Sequence, residues 1–150
     1  MIFGLASLAV AGLSFWSWRT DPRNVCLAGI SLMLLMLWGA SNALVAFWGV
    51  PEGMRAYPAL DLIGLLVVGA AWVREPRAWK LGVIGCFLGM DAAHIAFWID
   101  PVNPRAYAVD LNDLFLLQLG CVAFPGVRHA AGAALSRLRD QRALVRHVDA

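Results

Sequence analysis

Five apolar stretches, each long enough to cross a bilayer, constrain this chain more than any other feature. A helix needs about 17 to 25 mostly apolar residues to span a hydrocarbon core of roughly 30 Å. The stretches run at about Ile2 to Trp18, Val25 to Trp48, Tyr57 to Val73, Leu81 to Trp98 and Tyr107 to Phe124. Hydrophobic residues make up 61% of the chain, which is too apolar for an ordinary soluble domain. The sequence predicts an all-α integral membrane protein with five transmembrane helices.

Prolines punctuate the breaks between the stretches, and one follows the last stretch. They are Pro22, Pro51, Pro76, Pro101, Pro104 and Pro125. Proline ends helices because it lacks an N–H group and its ring clashes with the preceding turn. Tryptophan and tyrosine cluster at the same boundaries, where amphipathic rings favour the headgroup layer. We therefore expect a bundle over residues 1–127 and a separate tail over 128–150.

The basic residues predict an orientation. Ten of the twelve fall in the first loop, the third loop and the tail, and only Arg55 and Arg105 fall in the other two loops. The positive-inside rule then makes the C-terminus cytoplasmic and the N-terminus external. We expect a multi-pass protein of a bacterial-type inner membrane, with the first stretch retained as a helix rather than cleaved as a signal peptide.

The tail has the pattern of an amphipathic helix. Between Arg128 and Val148, alanine, leucine and valine recur on one helical side, and arginines form an adjoining stripe. Basic residues near anionic cytoplasmic lipid gain about 1 kcal/mol each. We expect the tail to lie on anionic lipid, with docking to a protein partner as the alternative.

An internal repeat relates the second and third spans to the fourth and fifth. Residues 46–57, AFWGVPEGMRAY, match residues 96–107, AFWIDPVNPRAY, at seven of twelve positions. A one-residue gap then aligns Asp61 with Asp110. The units, about 25–75 and 79–125, each contain two spans, which predicts a tandem parallel hairpin repeat. Arg55 and Arg105 in the repeated loops are candidates to pair with these aspartates or to contact a ligand directly.

Polar residues inside the spans form the candidate site. Those that we consider binding residues for a proton, a cation or another ligand are Asn42, Asp61, Asp91, His94, Asp110 and Asp113. A charge near the bilayer centre costs at least about 2.5 to 3.5 kcal/mol, so these groups should face one another or a water-filled cavity. Asp91 with His94, and Asp110 with Asp113, have the three-residue spacing that places two side chains on one helical face. A carboxylate and imidazole cluster of this kind can hold and release protons near neutral pH.

Two other interpretations of these polar groups stay open. Serine, asparagine, aspartate and histidine also hold helices together by hydrogen bonds, at about 1 kcal/mol or less each. We favour this structural role for Asn42, and also for Asp61 and Asp110, which lie nearer the membrane surface than Asp91 and His94. One histidine with aspartates is a weak signature for a divalent metal. Cys26, Cys86 and Cys121 occur singly, and we expect them to behave as small apolar residues.

Several function classes lack their sequence signatures. His94 is the sole histidine within a span, so bis-histidine haem in the membrane is excluded. No Gly-rich phosphate loop, nucleophile elbow or HExxH motif occurs, and we predict no cofactor and no nucleic-acid partner. An enzyme is the less favoured class.

Three functions remain. The first is a proton- or cation-linked transporter or channel-like protein with an outward-facing polar site. The second is a non-catalytic accessory subunit of a larger membrane complex, or a holin-like pore that assembles as a homo-oligomer. The third and weakest is a membrane enzyme that binds a lipid or quinone headgroup.

Overall fold

A computed structural model describes residues 2–49, 55–101 and 104–148. Over these residues the chain forms five α-helices and one short 3-10 turn. They are α1 (Ile2–Thr20), the turn Pro22–Asn24, α2 (Val25–Trp48), α3 (Tyr57–Arg74), α4 (Ala78–Ile99) and α5 (Pro104–Val148). The prediction of an all-helical protein is confirmed.

Four of the described helical segments are long and apolar enough to cross a membrane. They are Pro22–Trp48, Tyr57–Arg74, Ala78–Ile99 and Ala106–Arg139. Large apolar side chains such as Met36, Leu66 and Leu117 are exposed on the outside of the bundle, where a soluble protein would carry polar groups. A membrane fold is therefore supported for α2 to α5, while a fifth span through α1 stays a prediction.

The helices pack as a closed ring in chain order. Each of α2, α3 and α4 contacts the helices before and after it, and α5 returns to contact α1. Buried apolar residues from α2 to α5 fill the middle of the ring: Leu27, Ile30, Leu34, Val68, Val83, Phe87, Met90, Leu119 and Val122. The face that α1 turns inward is small and polar instead. Its Ser14 hydroxyl accepts a hydrogen bond of 2.7 Å from Ser31 of α2.

Local sequence rules explain where the helices stop. Glu75 and Asp100, which directly follow α3 and α4, are both extended and both precede a proline. Proline disfavours the helical conformation of the residue before it, so each helix ends there. Gly49 ends α2 with φ of 84°, a left-handed conformation that glycine adopts without a steric penalty.

Pro125 does not end a helix, which corrects the sequence prediction. It lies inside α5, a continuous helix of 45 residues. Contacts next to the proline hold the helix in place, since Gly126 packs closely against Leu13 of α1, so the loss of one backbone N–H donor does not end it. Beyond the proline, the His129 Nε2 atom lies 2.9 Å from the Thr20 hydroxyl, and this contact attaches the continuing helix to α1. At 1.5 Å per residue α5 is about 67 Å long, more than twice the thickness of a hydrocarbon core.

Candidate functional site

His94 is the centre of a hydrogen-bonded triad that joins three helices. The imidazole is only 1% exposed. Its Nδ1 atom hydrogen-bonds the Tyr107 hydroxyl of α5, and its Nε2 atom lies 3.0 Å from Oδ2 of Asp61 on α3. Both ring nitrogens of a buried histidine are thus satisfied by side chains that themselves exchange protons.

The helix ends bring these residues together. Asp61 lies one turn after the start of α3, His94 lies one turn before the end of α4, and Tyr107 lies in the first turn of α5. In an up-and-down bundle these positions share one end. Aromatic rings surround the triad: the Tyr57 ring meets the imidazole edge-on at 6.1 Å, and Phe97 stacks on Tyr107 at 4.3 Å.

A close helix crossing sets the distance between Asp61 and His94. A Cβ atom added to Gly64 of α3 would come within 2.2 Å of the Phe87 ring of α4. Gly64 lies three residues after Asp61 and Phe87 seven residues before His94, so both are on the helical faces that carry the triad. Glycine at this point therefore lets the carboxylate reach the imidazole.

The chemistry of the partners assigns the hydrogens. An ionised carboxylate only accepts hydrogen bonds, so Nε2–H donates to Asp61. Nδ1 of the neutral ring is then the acceptor, and the Tyr107 hydroxyl donates to it. When the imidazole takes up a second proton, both nitrogens donate and the Tyr107 oxygen becomes an acceptor. The triad can therefore take up a proton without losing either hydrogen bond to His94.

The triad opens onto an elongated cavity of about 490 Å³ between the helices. All five helices contribute to its wall, and α2 and α5 supply one face each over three turns. The apolar part of the wall comes from Phe3, Leu34, Leu37, Trp38, Val45, Phe87, Met90, Leu111 and Phe115, and the polar part from Ser41, Asn42, Asn112 and Gln118 in addition to the triad. We call this cavity the slot.

The structure separates the residues predicted from sequence into two groups. Asn42 and Asp61 line the slot with His94, and the Asp91 carboxylate lies within Coulombic range of both Asp61 and His94. The Asn42 amide also donates a 2.7 Å bond to the Trp38 carbonyl, which fits the helix-stabilising role considered above. Asp91 makes no hydrogen bond to His94, whose two nitrogens are occupied by residues of other helices.

The remaining candidates lie away from the slot. Asp110 and Asp113 are exposed on the outer surface of α5, although Asp110 aligns with Asp61 in the predicted repeat. Arg55 is exposed and forms no ion pair with Asp61. The side chain of Arg105 is outside the described residues.

Sequence reasoning assigned no site role to Tyr107 or Gln118. Tyr107 was interpreted as an interfacial residue at a span boundary, yet it is 7% exposed. The similar segments 46–57 and 96–107 carried the signal, because Tyr57 and Tyr107 occupy the same position in them and both rings contact His94. Gln118 is 1% exposed, and its Nε2 atom has no hydrogen-bond partner in the described structure.

Basic residues gather at the opposite end of the bundle, around a second cavity of about 770 Å³ lined by Arg23, Arg77 and Arg128. There the ammonium of Lys80, 1% exposed, donates to the carbonyls of Ala71 at 3.0 Å and Glu75 at 2.9 Å. It thereby caps the carboxyl end of α3, where a cation also complements the helix dipole. A hydrogen bond from the Arg77 guanidinium lowers the pKa of the Glu75 carboxyl.

Within the described ranges, no group of three or more histidine, cysteine or acidic side chains is arranged to hold a metal ion. The three cysteines are unpaired. Comparison of the chain with family models, with curated proteins and with solved structures finds no match.

Proposed function

We propose that this chain is a proton-linked transporter or channel-like protein of a bacterial-type inner membrane, and that His94 is its proton-carrying residue. The observation that carries the proposal is the buried imidazole held between Asp61 and Tyr107 at the wall of the slot. Burying a carboxylate and an imidazole in an apolar bundle is costly. Helix packing alone does not require that cost, because Ser14 and Ser31 hold two helices together with neutral hydroxyls.

The proposed topology has five spans, an external N-terminus and a cytoplasmic C-terminus. Its support is the division of charge between the two ends. Arg23, Arg77 and Arg128 come from the first loop, the third loop and the tail and line one cavity, as a common cytoplasmic side requires. The triad then lies near the outer face, and the tandem hairpins of α2–α3 and α4–α5 enter the membrane in the same sense.

The proposed proton path uses atoms already in contact. In the neutral ring Nε2 already carries the hydrogen that it donates to Asp61, so His94 takes up the second proton at Nδ1. The Tyr107 hydroxyl gives its hydrogen to Nδ1 and takes the entering proton from the slot, while the carboxylate of Asp61, with that of Asp91 nearby, stabilises the positive charge. The imidazole remains hydrogen-bonded to Asp61 and Tyr107 in both charge states. Movement of the charged imidazole relative to the slot then couples proton binding to the transport of a solute, or it opens a path for the proton alone.

Proton flux into proteoliposomes under an imposed pH gradient tests the proposal. We expect His94→Gln, which retains hydrogen-bonding groups but cannot carry a charge, to lose at least tenfold in rate. Tyr107→Phe removes one hydroxyl and should slow flux by a smaller factor. Asp113→Asn, an exposed carboxylate outside the slot, is the matched control and should conduct like the wild type. Absence of flux from folded wild-type protein would contradict the proposal and favour an accessory subunit.

A further inference from the structure

The end of the slot away from the triad contains a polar group that has no hydrogen-bond partner among the described residues. Gln118 is 1% exposed and lines the slot, and its Nε2 atom makes no hydrogen bond to any described residue. Buried amide groups are nearly always hydrogen-bonded, because an unpaired donor loses its water without compensation. An unsatisfied donor on a residue that lines a cavity is therefore available to an acceptor atom that comes from outside the chain.

The slot has the length of an organic molecule rather than of an ion. Its wall on α5 runs from Tyr107 to Gln118 through residues spaced by three and four, and eleven residues of helix are about 16 Å long. The wall on α2 lies alongside it, from Val45 near the triad to Leu34. A volume of about 490 Å³ lies within the usual range for small-molecule sites.

The lining selects the charge of the occupant. Among the described residues no lysine or arginine lines the slot, and its charged groups, Asp61 and His94, lie at the triad end. The Gln118 end therefore offers no counter-charge to an anion or to a cation. At this end the unpaired amide N–H group of Gln118 lies among the apolar side chains of Leu34, Phe87 and Phe115. A neutral oxygen acceptor on an apolar body is the chemistry that satisfies both features.

We infer that the slot binds a neutral, elongated, membrane-soluble carbonyl compound, with its oxygen accepting a hydrogen bond from Nε2 of Gln118 and its apolar body lying along α2 and α5. The inference rests on the proposed function in one respect, since it names the class of solute that the proton-linked site would carry. Binding itself requires only the slot and Gln118.

A matched pair of probes tests this inference on the intact purified protein in detergent micelles. Benzophenone and diphenylmethane have the same two rings and differ by a carbonyl in place of a methylene. Equilibrium dialysis against empty micelles corrects for partitioning of each probe. We expect the wild type to bind benzophenone about threefold to tenfold more tightly than diphenylmethane, as one hydrogen bond allows.

Gln118→Met keeps the length and flexibility of the side chain but removes the donor. This variant should bind the two probes equally, while the exposed-site variant Asp110→Asn should keep the wild-type preference. Equal binding of the two probes by the wild type would overturn the inference even if Gln118→Met failed to fold. An unchanged preference in a folded Gln118→Met variant would also overturn it.

The two proposals fail in different ways. Wild-type protein that prefers benzophenone but shows no proton flux would overturn the proposed function and leave the ligand class standing. Protein that conducts protons through His94 but shows no preference would overturn the ligand class alone. Asp61→Asn should lose flux and keep the benzophenone preference, because Asp61 lies at the end of the slot away from Gln118.

Discussion

Adding a single methyl group at Gly64 should disrupt both the packing of α3 on α4 and the triad that this packing positions. In Gly64→Ala the new Cβ would lie 2.2 Å, 2.6 Å and 2.9 Å from three atoms of the Phe87 ring. Ordinary contacts begin near 3.4 Å, so ring and helix must separate by about 1.2 Å, the difference between 3.4 Å and 2.2 Å. The ring is 1% exposed, and packed core residues surround it except where it forms part of the slot wall.

The expected cost combines two opposing effects. Alanine in a helix interior is more stable than glycine by about 1 kcal/mol, whereas overpacking a tight core costs about 1 to 3 kcal/mol. Because three ring atoms clash, we expect the upper end of that range and a net loss of about 1 to 2 kcal/mol in the free energy of unfolding. Gly69→Ala in the same helix meets no atom within 4 Å and should instead gain about 0.5 to 1 kcal/mol.

Denaturant titration in detergent micelles, followed by far-UV circular dichroism, measures both variants. A displacement of about 1 Å would also stretch the 3.0 Å contact between Asp61 and His94 beyond hydrogen-bonding distance. Gly64→Ala should therefore lose proton flux. In the double variant with Phe87→Leu the smaller side chain makes room for the new methyl group, so the loss in the free energy of unfolding should be smaller than the sum of the two single losses. If Gly64→Ala is as stable as Gly69→Ala, the close crossing that we describe is wrong.

Three further predictions concern the rest of the bundle. Lys80→Met removes two charged hydrogen bonds to the end of α3 and should lower the free energy of unfolding by about 2 to 4 kcal/mol. The control Arg74→Met, at an exposed position, should change it by less than about 0.5 kcal/mol. Equal effects of the two variants in a denaturant titration would refute the capping role. Ser14→Ala should cost about 1 kcal/mol in the same assay, because it removes the acceptor of a buried hydrogen bond from Ser31, and a neutral result would show that the bond adds no stability. The Glu75 pKa is lowered in the folded state, so its pairing with Arg77 stabilises the fold above the unfolded-state pKa of about 4.5. This contribution is lost as the pH falls through the folded-state pKa. The midpoint of thermal unfolding should therefore fall less steeply with decreasing pH for Arg77→Gln than for the wild type, and identical slopes would contradict the assignment.

Much of the fold follows from the sequence because apolar length and proline positions are local signals. The predicted second span, Val25 to Trp48, has the bounds of α2, and the third differs from α3 by one residue. Pro125 was misjudged because a proline's effect depends on its surroundings. Here the packing of Gly126 on Leu13 and the contact of His129 with Thr20 hold α5 together across the proline.

The partners of His94 did not follow from the sequence. Spacing along one helix shows that Asp91 and His94 share a face, but it does not show how neighbouring helices are rotated about their axes. That rotation depends on contacts such as Gly64 against Phe87, and it directs Asp61 to the imidazole and Asp110 to the outer surface. The repeat makes these two aspartates equivalent in sequence, and only packing distinguishes them.

A comparison of these two aspartates is therefore the most direct test of the proposed proton site. Proton flux should be measured in proteoliposomes holding equal amounts of folded Asp61→Asn and Asp110→Asn protein. We expect Asp61→Asn to lose flux by at least tenfold and Asp110→Asn to match the wild type. Equal flux in the two variants, whether high or low, would contradict a proton site built on Asp61 and His94.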